Sequence, residues 1–72
     1  MKLFVRLRFN SEGASPLDVI KDIKKIGFSP VFGDYDFVMS FKNPESYGDI
    51  VTKLHKALAD TKVYYSLSTK KE

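Results

Sequence analysis

Two short stretches decide how this chain can fold. Ser15-Pro16-Leu17-Asp18 and Asn43-Pro44-Glu45 each place a capping residue before a proline, with an acid in the turn that follows. The capping side chain can accept an orphan N–H, the proline has none to lose, and the acid meets the positive end of the helix dipole. The first start leads into an apolar stripe of Leu17, Val19, Ile20, Ile23 and Ile26, closed by Gly27 where a left-handed cap is wanted. The second leads into Tyr47, Ile50, Val51, Leu54 and Leu58 and should end near Asp60. The rest of the chain is thereby divided into segments before, between and after two helices.

The segment before the first helix, Lys2 to Phe9, alternates. Leu3, Val5, Leu7 and Phe9 share one face, and Lys2, Phe4, Arg6 and Arg8 share the other, the pattern of a strand with one buried side. Between the helices, Gly33-Asp34 suits a two-residue type II′ turn, so Phe28 to Lys42 reads as a hairpin. Its register sets Phe32 opposite Tyr35, Pro30 opposite Phe37 and Phe28 opposite Met39. A core face of Phe28, Pro30, Phe32, Tyr35, Phe37, Met39 and Phe41 follows. Pro30 cannot donate to a ladder and places its strand at an edge. After the second helix, Val63 to Thr69 alternates Val63, Tyr65 and Leu67 against Tyr64, Ser66 and Ser68.

The order is therefore βαββαβ. Right-handed crossovers around each helix predict an α+β, ferredoxin-like domain over residues 1–69, with a polar tail at 70–72. Its four-stranded antiparallel sheet runs 4-1-3-2, with both helices on one face. Phe4, Arg6, Arg8, Val31, Val38, Ser40, Tyr64 and Ser66 then lie on the other face with no layer to cover them. A chain of 72 residues buries only about 60% of its unfolded surface, and cores of this size need outside support. The chain has no cysteine and one histidine, which excludes disulfides and thiolate zinc and argues against a metal cluster. A homodimer or larger homo-oligomer remains, with Phe4, Arg6, Val31, Val38 and Tyr64 as its expected interface.

Composition excludes further classes. Net charge is +3, and the lysines at 21, 24, 25, 53 and 56 read as solvated helix faces, so no dense basic stripe marks a DNA binder. No apolar run approaches the ~20 residues of a membrane span, and the amino terminus has no signal-peptide pattern, which makes the cytoplasm the expected location. No Ser/His/Asp set, catalytic carboxylate pair or phosphate loop can be assembled. His55 reads as a surface residue, so no enzymatic role and no cofactor are expected.

Gly33-Asp34-Tyr35-Asp36-Phe37-Val38 closely resembles the Gly-x-Tyr-Asp-hydrophobic signature of the effector-binding domain of Lrp/AsnC regulators, the RAM or regulation-of-amino-acid-metabolism domain. The resemblance extends over essentially the whole chain in element order and length. The final strand, Tyr64-Tyr65-Ser66-Leu67-Ser68, stands where the family favours Thr-x-Thr. Because Met1 opens the first strand directly, the chain looks like a stand-alone version without the DNA-binding helix-turn-helix. The resemblance implies a dimer or larger assembly built on open sheet faces, a small amino-acid effector at an interface, and no sequence-specific DNA binding by this chain alone. A full-length regulator of the group is the implied partner. Position by position it assigns ligand roles to Gly33, Asp34, Tyr35 and Asp36, and by strand position to Ser66 and Ser68.

The residues themselves leave alternatives open. Gly33 serves a positive φ and Asp34 a turn preference, while Asp36 shares the open face with Arg6 and Arg8 and can pair with them. Tyr35 reads as an aromatic at the rim of the core. The rival function is an RNA-recognition-like protein, because Lys2-Leu3-Phe4-Val5 and Tyr35-Asp36-Phe37-Val38 look somewhat like the two sheet motifs of such domains. The hairpin phase argues against it by turning Tyr35 and Phe37 toward the helices. A small ferredoxin-like acylphosphatase or metallochaperone would need an arginine loop or a Cys-x-x-Cys motif that this sequence lacks.

Overall fold

A computed structural model describes residues 1–71. The chain runs β1 (Lys2–Arg8), α1 (Pro16–Ile26), β2 (Ser29–Pro30), β3 (Phe37–Ser40), α2 (Pro44–Leu58) and β4 (Tyr64–Lys70). The strands form one antiparallel sheet in the order β2-β3-β1-β4, the expected 4-1-3-2 read from its other edge. The fold is α+β and ferredoxin-like.

Both helix starts form as the local chemistry dictates. Asn43 caps α2, its side-chain oxygen accepting from the Ser46 N–H at 2.9 Å. Ser15 occupies the cap position of α1 ahead of Pro16, although its hydroxyl makes no capping bond. At the other end of α1, Gly27 takes φ 123°. Its N–H reaches the Lys24 carbonyl at 3.0 Å and the Phe28 N–H reaches that of Ile23 at 3.4 Å, the paired bonds of a Schellman cap. The cap turns Phe28 into the core. α2 ends at Leu58, and a turn through Asp60 (φ 62°) and Lys62 (φ 60°) leads into β4.

β1 is the central long strand. Leu3 and Val5 are wholly buried between the sheet and the helices, with Val19 and Ile23 of α1, Leu54 and Leu58 of α2, and Phe28, Phe37, Phe41 and Val63 around them. Each such side chain contributes roughly 1.5–3 kcal/mol by leaving water.

Several expected core positions fall outside it. The hairpin register is as read, with Pro30 opposite Phe37 and Ser29 opposite Val38, but β2 has only two residues and Pro30 is exposed at the sheet edge. Phe32 is fully exposed beyond the end of β2. Phe9 lies past the end of β1 and is 38% exposed; Leu17, in the first turn of α1, is 70% exposed. In each case the periodicity runs to the end of an element, where cover by neighbours is incomplete. At the carboxyl end the ladder continues to Lys70, which pairs with Lys2, so the strand includes the first residue of the expected tail.

The largest change concerns Tyr35. The Asp36 N–H donates to the Val5 carbonyl at 2.8 Å, yet Val5 is already the register partner of Phe37. Two consecutive residues therefore oppose one, which defines a β-bulge. The next β1 donor, the Leu7 N–H, is taken by the Asp36 carboxylate at 2.7 Å. The extra residue reverses the alternation before Phe37 and delivers Tyr35 to the open face, against Phe4. Strict alternation had turned it toward the helices.

Candidate ligand-binding face

Period-two geometry on β1 places Lys2, Phe4, Arg6 and Arg8 on the uncovered side. Their register partners are Lys70, Ser68, Ser66 and Tyr64 on β4 and, for Lys2 and Phe4, Ser40 and Val38 on β3. At the middle of this surface the Phe4 and Tyr35 rings lie 5.3 Å apart, inclined by 42°. The Lys70 ammonium stands 5.3 Å from the Phe4 ring centre and 5.7 Å from that of Tyr35. The Arg6 guanidinium lies 5.4 Å from the Tyr35 centre. Cations at such distances are attracted by the negative ring faces.

Arg6 joins this aromatic pair to the loop before β3. Its Nε donates to the Asp34 carbonyl at 2.7 Å, so one side chain holds the loop, stacks on Tyr35 and contributes to a neighbouring cleft. That cleft, of about 470 Å³, is lined by Arg6, Leu7, Arg8, Tyr64, Tyr65 and Ser66. Its volume falls in the range of small-molecule sites. Two guanidinium-bearing side chains, a serine and two tyrosines make it rich in donors. Tyr65 is anchored from behind, its hydroxyl 2.9 Å from His55 Nδ1.

The residues singled out from sequence divide accordingly. Arg6, Tyr64 and Ser66 line the cleft, and Asp34 and Tyr35 are tied to it through Arg6. Ser68 stands apart from the cleft, beside Phe4. Gly33 is exposed in the loop with φ 110°. Val31 and Val38 are half-buried, and the Val31 N–H donates to the Asp36 carbonyl at 3.0 Å. Among the described residues no ion pair links Asp36 to Arg6 or Arg8, contrary to the simple pairing open from sequence. The Asp36 carboxylate completes the bulge instead.

Lys70 escaped the sequence reading because it was assigned to a tail. One more step of the Tyr64, Ser66, Ser68 alternation reaches it. Tyr35 as a partner of Phe4 had no such signal, since the bulge depends on hydrogen bonds that the alternation does not encode. Arg8 is on the expected face, but its side chain makes no hydrogen bond, ion pair or ring contact with any described residue, Asp36 included.

Among the described residues no His, Asp and Glu side chains cluster to hold a metal, and no helix is long and apolar enough to cross a membrane. Compared with protein-family models, with curated proteins and with solved structures, the chain matches none.

Proposed function

We propose that this chain is a non-enzymatic ligand-binding and oligomerisation domain of the Lrp/AsnC effector-domain type. In this reading it takes a small carboxylate-bearing effector, the amino acids of that family being the model, and modulates transcriptional regulation in the cytoplasm through assembly. The observation that carries it is the position of Arg6. This residue fastens the Gly-x-Tyr-Asp loop through the Asp34 carbonyl, covers Tyr35 and lines the cleft with Ser66 and Tyr64. A ligand carboxylate drawn to Arg6 would bear directly on the loop and on the face expected to meet a second copy. The mechanism is linkage: a ligand that binds one association state more tightly shifts the equilibrium by that difference. Partners are a second copy and a full-length regulator of the group.

Sedimentation velocity with and without a panel of amino acids and their carboxylate derivatives tests the reading. Association beyond the monomer, altered by at least one compound, is the expected result. A monomer indifferent to all of them would remove it.

The second reading, binding of single-stranded RNA, gains from the bulge. Three aromatic residues, Phe4, Tyr35 and Tyr64, now share the open face with Lys2, Arg6, Arg8 and Lys70. Stacked bases and phosphates would suit such a surface. A mobility shift with mixed-sequence single strands that weakens steeply with salt would favour it over effector binding.

A further inference from the structure

The cleft at the Arg8 end of the sheet has a chemical bias that narrows the ligand. Arg6 and Ser66 are opposite each other in the ladder, as are Arg8 and Tyr64, so two cationic side chains from one strand face two hydroxyl side chains from the next. Arg6 is held in place by its Nε bond to the Asp34 carbonyl at 2.7 Å, and its terminal nitrogens have no hydrogen-bond partner among the described residues. The Arg8 side chain makes no hydrogen bond, ion pair or ring contact with the described residues. A carboxylate can accept paired bonds from such groups, and one of them is already fixed, which lowers the ordering cost of binding. Tyr64, 70% exposed, offers a ring to an apolar ligand body.

Among the described residues no carboxylate lines this cleft. Of the two acids in the nearby loop, the Asp36 carboxylate accepts from the Leu7 N–H, and neither Asp34 nor Asp36 is among the residues that line the cleft. An amino acid would bring its ammonium beside two guanidinium groups without an anion to receive it, and like charges at such range repel.

We propose, resting on the effector-binding reading, that the cleft formed by Arg6, Arg8, Tyr64 and Ser66 takes an organic acid whose polar groups are acceptors only, a 2-oxo acid in place of the corresponding amino acid. The carboxylate lies between the guanidinium groups, the oxo oxygen accepts from Ser66 or Arg8, and the side chain lies along Tyr64.

The test is an amide-resonance titration of the nitrogen-15-labelled full chain with matched pairs: phenylpyruvate and phenylalanine, 4-methyl-2-oxopentanoate and leucine, 2-oxoglutarate and glutamate. Inorganic phosphate is a separate arm. At least one oxo acid should shift the amides of Arg6, Arg8 and Ser66 and bind tenfold or more tightly than its amino acid and than phosphate. Arg8→Gln should weaken that binding at least tenfold with thermal unfolding unchanged, since the Arg8 side chain makes no hydrogen bond or ring contact with the described residues. Equal or tighter binding of the amino acids overturns this inference and leaves the effector reading standing. Phosphate binding as tight as the best oxo acid overturns the assignment to organic acids. Binding that Arg8→Gln and Arg6→Gln both leave intact overturns the location. Absence of any resonance shift and of any change in association with every compound overturns the inference together with the effector reading.

Discussion

Phe4 in the middle of β1 and Tyr35 just ahead of β3 touch across the uncovered face, with ring centres 5.3 Å apart. The contact joins residues far apart in sequence, and it exists because of the bulge at Asp36. A double-mutant cycle with Phe4→Ala and Tyr35→Ala should show a favourable coupling of about 0.5–1.5 kcal/mol in chemical denaturation. Strict additivity of the two changes would mean that the rings do not interact in solution.

Assembly through the same face gives a second expectation. Phe4→Asp and Tyr64→Asp each place a carboxylate where a second copy would pack, while Leu3, Val5 and the helix-covered core stay as they are. Sedimentation should show weaker association for both variants, and a lower unfolding midpoint to match. Unaltered association in both would leave this face to solvent or to another partner.

The Asp36 carboxylate accepts the Leu7 N–H in place of a strand carbonyl. Asp36→Ala removes that acceptor and should cost about 1 kcal/mol. Asp36→Asn keeps an oxygen at the same position and should recover most of the loss. Equal destabilisation by the two would show that charge, and not the hydrogen bond, is what the position requires.

Gly13 and Gly48 should respond in opposite directions to alanine. A Cβ on Gly13 would come within 2.2 Å of the Thr61 carbonyl oxygen, beside the bond from the Ala14 N–H to that same oxygen. Gly13→Ala should cost about 1–3 kcal/mol through backbone displacement. Gly48 lies within α2 with nothing near its missing Cβ, so Gly48→Ala should stabilise by about 0.5–1 kcal/mol. Thermal melts of the two variants check the pair, and a neutral Gly13→Ala would contradict the close approach.

Phe32 separates the folded geometry from the pattern in the sequence. It is fully exposed, and Phe32→Ser should leave stability within about 0.5 kcal/mol. A core phenylalanine, as the alternation suggested, would cost about 3–5 kcal/mol when truncated to alanine.

The architecture was legible because several local signals agreed. The Ser15-Pro16 and Asn43-Pro44 starts, the Gly27 stop, the alternation of β1 and the edge requirement of Pro30 all lead to one topology. The register of β2 against β3 was legible too, since the Gly33-Asp34 turn and the hydrophobic pairing gave the same answer. What failed was propagation of the pattern. Strict alternation carries through the Asp36 bulge to Tyr35 and on to Phe32, which is fully exposed, and along β1 to Phe9, past the end of the strand. The candidate face is the least legible part, because Tyr35, named by the resemblance, is turned inward by strict alternation where the strand changes phase, and Lys70 falls in the expected tail one residue past the expected strand end. A periodic pattern reports burial only as far as the hydrogen-bond ladder remains regular.

The extra residue at Asp36 has a consequence for how this surface can vary. On one side of it, Phe37 is fixed by the core; on the other, Tyr35 is presented to the exterior. The same strand is thus read in two frames, one answerable to stability and one to recognition. Regular pairing of Asp36 at this point, without the bulge, would merge the frames and turn Tyr35 inward without altering any core side chain. Whether this one position bulges therefore sets the face offered to ligands while the buried scaffold stays constant.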